Sequence, residues 1–313
     1  MSNKEQYRNI CAQKTGLPVF LQHWWLDAVA GNWDVAITMK GDVVTGVWPY
    51  TIEQKIGVSV IRTPKLTPYI GPHVFFPADL KEVNRDGFEH ETINELVKQM
   101  PAAKVWHIAT QPGLKQAGLF KNEGLQVSAQ QTFLIDLKQE ETTLFANLKE
   151  SLRRNIKSAN AEFEMVNDTT QLHTLFEYQK HTLSRKDVSQ AYGYADMLRL
   201  MEAAIANSSA ALWLAKKQDD IQAMVWNVWD AERSYYFMGA QKPGNDNYKA
   251  MPALLWHCIK EAKARGNTYF DLEGSMDPGV ERFFRGFGGR RELYLVLKKQ
   301  DSLLWKLKEL IKS

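Results

Sequence analysis

Two stretches of the chain place reactive residue types at spacings that could do chemistry. The first is "YFDLEGSMDP", where Asp271, Glu273 and Ser275 alternate at the end of an apolar run. In an extended strand, alternate residues share one face. Strand ends beside a crossover helix are where α/β sheets place reactive groups. A carboxylate there, partly shielded from water so that its pKa rises, can take a proton from a substrate. Glu273 is the preferred base; the alternative is that these residues cap the following helix and bond to backbone. The second stretch is "GNDNYKAMPALLWHC", a polar turn that becomes a helix. A helix start that follows a strand is an anion site, because its first N–H groups lack partners and its dipole is positive there. The turn carries Asn247, Lys249, Ala250 and Pro252 and no glycine between them. Proline removes one donor but suits a first helical turn. Lys249 supplies a cation, and the other reading is a helix capped by Asn247 or Asp246.

Further candidates are more scattered. Lys149, Arg153 and Lys157 fall on one helical stripe that can meet phosphates or simply face water. His181 and Arg185 stand four apart, and Arg285 follows the aromatic run "ERFFRGF". An arginine at such a position can hold a carboxylate or phosphate. Phe283, Phe284 and Phe287 read as core. Tyr69 lies in "LTPYIGP", a rigid loop that leaves it exposed between prolines, where it can line a cleft or the loop can simply close the first sheet. The sequence has no His/Cys metal spacing and no serine nucleophile elbow. Direct attack within a ternary complex therefore fits better than a covalent intermediate.

These residues need elements to position them. The chain has 313 residues, enough for two domains. Hydrophobic residues make up 44% and charged residues 24%, ordinary for a globular protein. The net charge of +3 is too small to argue for nucleic acid by itself. The two cysteines, Cys11 and Cys258, form no disulfide framework and fit a reducing compartment. The polar N-terminus lacks a signal core and no apolar run is long enough to span a bilayer, so the expectation is a cytoplasmic protein. In the first half a short helix over 19–31 precedes strands turning at Lys40–Gly41–Asp42 and Lys55–Gly57. A strand over 125–137 ends the first half, which sets expected domains of 1–137 and 138–313. A helix over 142–161 opens the second. From 162 the pattern runs β, α, α, β, β, β, α, β, α, β, α, with the last helix "SLLWKLKELIK" amphipathic and basic. That helix either packs on its own domain or lies on a membrane surface. A strand, a helix and a second strand joined as a crossover onto an antiparallel meander predict an α/β fold of the α+β mixed-sheet kind.

This order, with "SYYFMGAQ" followed by "AMPALLWHCIKEAKARG", "YFDLEGS" and "ERFFRGFGG", resembles the GNAT acyltransferase fold. The first half, with "LQHWWLDAV" and "KLTPYIGPHV", is similar to a second, more degenerate copy. Two fused GNAT-like domains resemble the FemAB-like group, which includes the Fem aminoacyltransferases. The resemblance implies transfer of an acyl or aminoacyl group from acyl-CoA or aminoacyl-tRNA to an amine or hydroxyl of a cell-envelope or small-molecule acceptor. A peptidoglycan precursor is one such acceptor, and no cofactor is held permanently. It implies that the backbone around Met238 and Gly239 lies beside the donor carbonyl. Asn247, Lys249 and Ala250 would then meet the donor's phosphates, with Glu273, Asp271 and Ser275 at the chemistry and Tyr69, Arg185 and Arg285 at the acceptor. The contrasting expectation is a binding module without catalysis on a degenerate GNAT scaffold.

Overall fold

The computed structural model describes residues 2–302 and Trp305, apart from Thr15, Asn160, Asp187, 245–247 and Ser275. The basic C-terminal helix expected from the sequence lies outside them. Contacts divide the chain into one unit of residues 1–130 and 293–313 and another of residues 131–292. The expected division at 137/138 does not coincide with this. The last strand in sequence returns to the first unit, a long-range pairing that no local pattern announces.

In the first unit, α1 (Asn3–Gln13) starts at a capping box in which Ser2 and Glu5 satisfy each other's backbone N–H groups. Then come α2 (His23–Val29), β1 (Trp33–Lys40), β2 (Val43–Lys55), β3 (Val58–Arg62), β4 (His73–Val74), α3 (Glu82–Gln99), β5 (Val105–Ala109) and α4 (Ala117–Asn122). The sheet runs β1-β2-β3-β5. The first three strands pair antiparallel, and β3 pairs parallel with β5. Trp33, Trp48, Ile61 and Leu96 are among the side chains of its core.

The strand β6 (Gln126–Asp136) leads into α5 (Glu141–Ala146), α6 (Glu150–Ala159), β7 (Glu164–Asn167), α7 (Leu172–Ser184), α8 (Tyr194–Ala206), β8 (Ala210–Lys217), β9 (Asp220–Trp229), β10 (Arg233–Gln241), α9 (Ala250–Arg265), β11 (Tyr269–Asp271) and α10 (Pro278–Arg285). A final strand, β12 (Arg290–Gln300), pairs antiparallel with β5 through Val296–Gln300. The single helix expected over 142–161 is two helices. The break is tertiary in origin: Lys149 N donates to Gly286 O at 2.8 Å, and Gly288 stands so close to Asn147 that a Cβ there would lie 2.7 Å from its carbonyl oxygen.

The second unit's sheet runs β6-β11-β10-β9-β8-β7. The meander β8–β9–β10 is antiparallel, and β10 and β11 are parallel, as the crossover reading requires. In β9 the seven residues from Gln222 to Val228 are all buried, so both faces of the strand are covered. The crossover helix α9 covers one of them. Ten of its sixteen residues are buried, and its N-terminal half is apolar all round. Leu254, Leu255 and Ile259 are wholly buried, which contributes about 2 kcal/mol for each such side chain. The helix stops at Gly266, whose φ of 91° only glycine adopts without strain. Near that end Lys263 Nζ donates to the carbonyls of Leu137 and Gln139 at 2.8 Å, tying α9 to the segment after β6.

The end of β11 is fixed by a buried carboxylate. Asp271 is wholly buried. Its Oδ1 accepts from Thr132 Oγ1 on β6 and, at 2.8 Å, from the backbone N of Glu273. Its Oδ2 lies 3.5 Å from Arg233 Nη1 at the start of β10. Burial pushes the Asp271 pKa up, while Arg233, Thr132 and the Glu273 N–H pull it back. Removing one partner of a buried pair leaves the other charge uncompensated. Arg233→Met is expected to lower the unfolding free energy by about 3 kcal/mol. Adding Asp271→Asn should recover part of that loss, read by urea denaturation.

Candidate functional site

β10 and β11 pair in parallel only over Arg233–Tyr235 and Tyr269–Asp271. Beyond that point β11 ends, while β10 runs on to Gln241. On its other side β10 keeps its antiparallel partner β9, with one irregularity: Tyr236 faces Asn227 and Met238 faces Trp226, so Phe237 is an extra residue. Such a bulge re-aims the side chains that follow it. Tyr236 and Gly239 are brought to the same side, and a Cβ at Gly239 would lie 1.7 Å from the Tyr236 hydroxyl. A glycine in a strand interior marks a close approach, and here the approaching group is the phenol of the same strand.

Past this opening lies a cleft of about 890 Å³. Its walls come from β10, the C-terminal part of α7, the start of α9 and the first turns of α10. The buried part of the lining is apolar, with Met238, Met251 and Phe284. Toward its mouth the lining is polar, with His181 and Arg185, both exposed, and the half-buried Lys242. Lys242 is held by Asp220 at 2.6 Å, and that pair raises the lysine pKa and lowers the carboxylate's. Two side chains of the α7 region reach β10: Gln179 Nε2 donates to Gly239 O, and Tyr192 Oη lies 3.6 Å from Met238 Sδ. Next to the cleft, Asp277 accepts from the N–H groups of Gly279 and Val280 and so caps α10. Lys186 Nζ, 2.6 Å from Asp277, holds that carboxyl below the usual carboxylate range and ties the segment after α7 to α10.

Glu273 stands at the other side of the opening. The strand does not stay extended past Asp271: Glu273 has φ of 53° and Gly274 has φ of 48°. Glu273 therefore does not continue the strand face of Asp271, and Ser275 lies outside the described residues. A Cβ at Gly274 would come 1.9 Å from Gln131 O, so the turn is built against β6. A non-glycine residue in the left-handed region costs about 1 kcal/mol, and such strain collects where function needs it. Glu273 is half-buried, but its Oε1 is shielded from water and has no hydrogen-bond partner among the described residues. Burial first, then the Asp271 charge, pushes its pKa well above the usual carboxylate range. It is not part of the cleft lining. Its link to the cleft is Tyr236, whose phenol burial drives to a raised pKa, with Cys258 and Glu273 adding to the rise.

Of the residues singled out in the sequence, the cleft gathers Met238, Gly239, His181, Arg185 and Pro252, with Glu273 beyond Tyr236. Asp271 is committed to Thr132, Arg233 and the Glu273 backbone. Lys249 stands outside the lining, 3.7 Å from Glu162 Oε2, a carboxylate that also pairs with Lys217. Ala250 is wholly buried as the first residue of α9, with Pro252 in the first turn, as a proline requires. Asn247 lies outside the described residues. Arg285 is exposed and pairs with Glu281 at 3.9 Å. Tyr69 is not exposed as the sequence suggested: it is a residue of the first unit, 2% exposed, packed edge-on against Phe20 and Tyr294. The prolines around it shape a buried loop rather than a displayed one. Sequence reasoning missed Tyr236, Gln179 and Met251. The glycine inside "SYYFMGAQ" was the signal for the first of them. Phe284, read as core, is both core and lining.

Among the described residues no cluster of three or more His, Cys, Asp or Glu could hold a metal ion, and no helix is long and apolar enough to cross a membrane.

Residues 145–285 match the family model described as an acetyltransferase (GNAT) domain. No curated protein matches the chain by sequence. By structure the chain is similar to FemX, with a TM-score of 0.66 at 13% identity over 100% of this chain and 99% of that one. It is similar to L-PGS from Bacillus licheniformis, with a TM-score of 0.56 at 11% identity over 99% of this chain and 97% of that one. It is also similar to a tandem GNAT protein from the clavulanic acid biosynthesis pathway, with a TM-score of 0.53 at 9% identity over 96% of this chain and 95% of that one. The mixed α/β fold is thus one shared with FemX and with a tandem GNAT protein, and residues 145–285 within it match a GNAT domain.

The contact between Gly239 and Tyr236 gives a direct test of the site's geometry. Gly239→Ala is expected to lower stability by about 1–3 kcal/mol through overpacking. In a Tyr236→Ala background the same substitution should cost much less, so a double-mutant cycle should return a coupling above about 1 kcal/mol.

Proposed function

We propose that this protein is an acyltransferase that passes an acyl or aminoacyl group from a donor in the cleft to an amine by direct attack. The matched family is one of acetyltransferases, and its match spans α6 to α10, the elements that build the cleft and the Glu273 turn. The observation that carries the reading is Glu273: a strained residue with a shielded carboxyl oxygen that has no hydrogen-bond partner among the described residues, next to the opening between two parallel strands. Only a neutral amine attacks a carbonyl carbon. A carboxylate whose pKa is raised by burial is a stronger base for the proton the nitrogen sheds. The donor lies along β10 past Tyr235, its carbonyl near Gly239, its apolar part against Met251 and Phe284 and its anionic part toward Arg185 and His181. That division of the lining suits a donor that joins an apolar part to phosphates: the pantetheine arm and phosphates of acyl-CoA, or the terminal nucleoside and phosphates of aminoacyl-tRNA. The acceptor is an amine-bearing compound, and the resemblance of the sequence to the Fem aminoacyltransferases suggests a cell-envelope precursor in that role.

Transfer to a small primary amine from acetyl-CoA and from alanyl-tRNA tests the reading. Transfer from one of them supports it. Binding of a donor without transfer from either would leave a binding module on a GNAT scaffold.

Glu273→Gln gives an expected outcome in two measurements. Turnover falls by about 10²–10⁴-fold, the range for loss of a general base. The wild-type rate rises with pH through the raised Glu273 pKa, and that limb is lost in the variant. Stability moves the other way. The folded carboxyl keeps its proton to higher pH than the unfolded chain does, so the unfolded state sheds a proton first as pH rises. Wild-type stability therefore falls between the ordinary carboxylate range and the raised folded pKa. Glutamine has no such titration, so the variant's melting temperature should gain on the wild type across that window. A variant with unchanged turnover would remove Glu273 from the mechanism.

A further inference from the structure

We propose that the Tyr236 phenol is the hydrogen-bond donor to the carbonyl oxygen of the donor, where negative charge builds during transfer. The inference rests on the acyl-transfer reading and assigns that site a catalytic side chain which the family match does not mark.

Three observations place the hydroxyl there. Tyr236 is the first residue of β10 after the parallel pairing with β11 stops, and it lines the cleft. The bulge at Phe237 turns its ring along its own strand, so that its Oη stands where a Gly239 Cβ would be. The hydroxyl thus lies over the strand backbone beside which the donor carbonyl is placed. Its orientation is held from outside the reaction, because the ring packs edge-on against Phe284 with centroids 5.4 Å apart.

The hydroxyl is also under-used. Its partner among the described residues is Met251 Sδ at 3.8 Å. A thioether is a weak acceptor, so a carbonyl oxygen displaces it readily. Burial, Cys258 and the Glu273 carboxyl all disfavour the phenolate, so the group remains a donor. A fixed donor in a water-poor site costs no reorganisation as charge develops.

The step balances with the groups on hand. The amine nitrogen forms a bond to the carbonyl carbon, and the π pair of the C=O bond moves onto oxygen. Tyr236 donates a hydrogen bond to that oxygen and keeps its proton. The nitrogen's proton passes to Glu273. When the oxygen pair returns, the bond to the leaving sulfur or oxygen breaks, and that atom takes up the proton.

Tyr236→Phe tests this, since it keeps the ring and its contact with Phe284. With whichever of acetyl-CoA or alanyl-tRNA the wild type uses, kcat is expected to fall by about 10²–10³-fold, with the donor KM and the melting temperature close to wild type. p-Nitrophenyl acetate separates the two catalytic uses of a phenol, because its leaving group departs without a proton. The same fold-loss on that ester supports the assignment. A loss that disappears on it makes Tyr236 a leaving-group acid and overturns the assignment. Wild-type turnover by Tyr236→Phe, or a kcat loss that follows a fall in melting temperature, also overturns it. A wild type that transfers from neither donor overturns the acyl-transfer reading and this inference with it, a result distinct from the others.

Discussion

The second half of this protein depends on one buried carboxylate. A carboxylate out of water is costly unless its lone pairs are filled and its charge is met. Asp271 meets that demand with Thr132, the backbone N–H of Glu273 and Arg233. Each of those partners is in a different place: β6, the turn itself and the start of β10. Satisfying one side chain therefore fixes where β11 ends, how the chain turns after it and how β10 enters the sheet. The opening between β10 and β11 follows from this, because β11 cannot continue past a residue whose side chain binds the backbone two positions on.

The opening has two unlike sides. On one, the cleft is shaped by close approach: a bulge, a glycine and a tyrosine folded over the same strand. On the other, Glu273 holds an ionisable group in a conformation and an environment that both cost free energy. Neither arrangement is what stability alone would select. The surrounding structure absorbs the cost through α9, whose buried face is large, and through the Asp271 network. A strained, poorly solvated carboxyl resting on a well-packed helix and sheet is the pattern expected where rigidity serves chemistry.

The order of elements was legible, because periodicity is a local property. The meander, its polar turns and the crossover helix with its terminal glycine follow from spacing within "AALWLAKK" to "AKARG", and the structure has them in that order. The cleft's position was legible too, since it sits where a strand hands over to a helix. The aims of individual side chains were not. Lys249 was expected at an anion site, yet Glu162, 87 positions away in the chain, engages it. Tyr69 looked exposed among prolines, but Phe20 and Tyr294 come from opposite ends of the chain to bury it.

The sequence by itself determined the fold class and the resemblance to FemAB-like GNAT proteins, and it singled out the paired carboxylates of "YFDLEGS". The fold class rests on periods of two or 3.6 residues, which the chain carries locally, and the resemblance rests on the motifs "SYYFMGAQ", "YFDLEGS" and "ERFFRGFGG" in that order. Only the tertiary structure decided which carboxylate is structural and which stands ready to titrate. Asp271 and Glu273 are two residues apart and alike in type. They differ because Thr132 and Arg233 reach one of them and nothing among the described residues bonds the shielded oxygen of the other. Burial and partnership are set by chain segments distant in sequence, and a carboxyl's proton affinity depends on both.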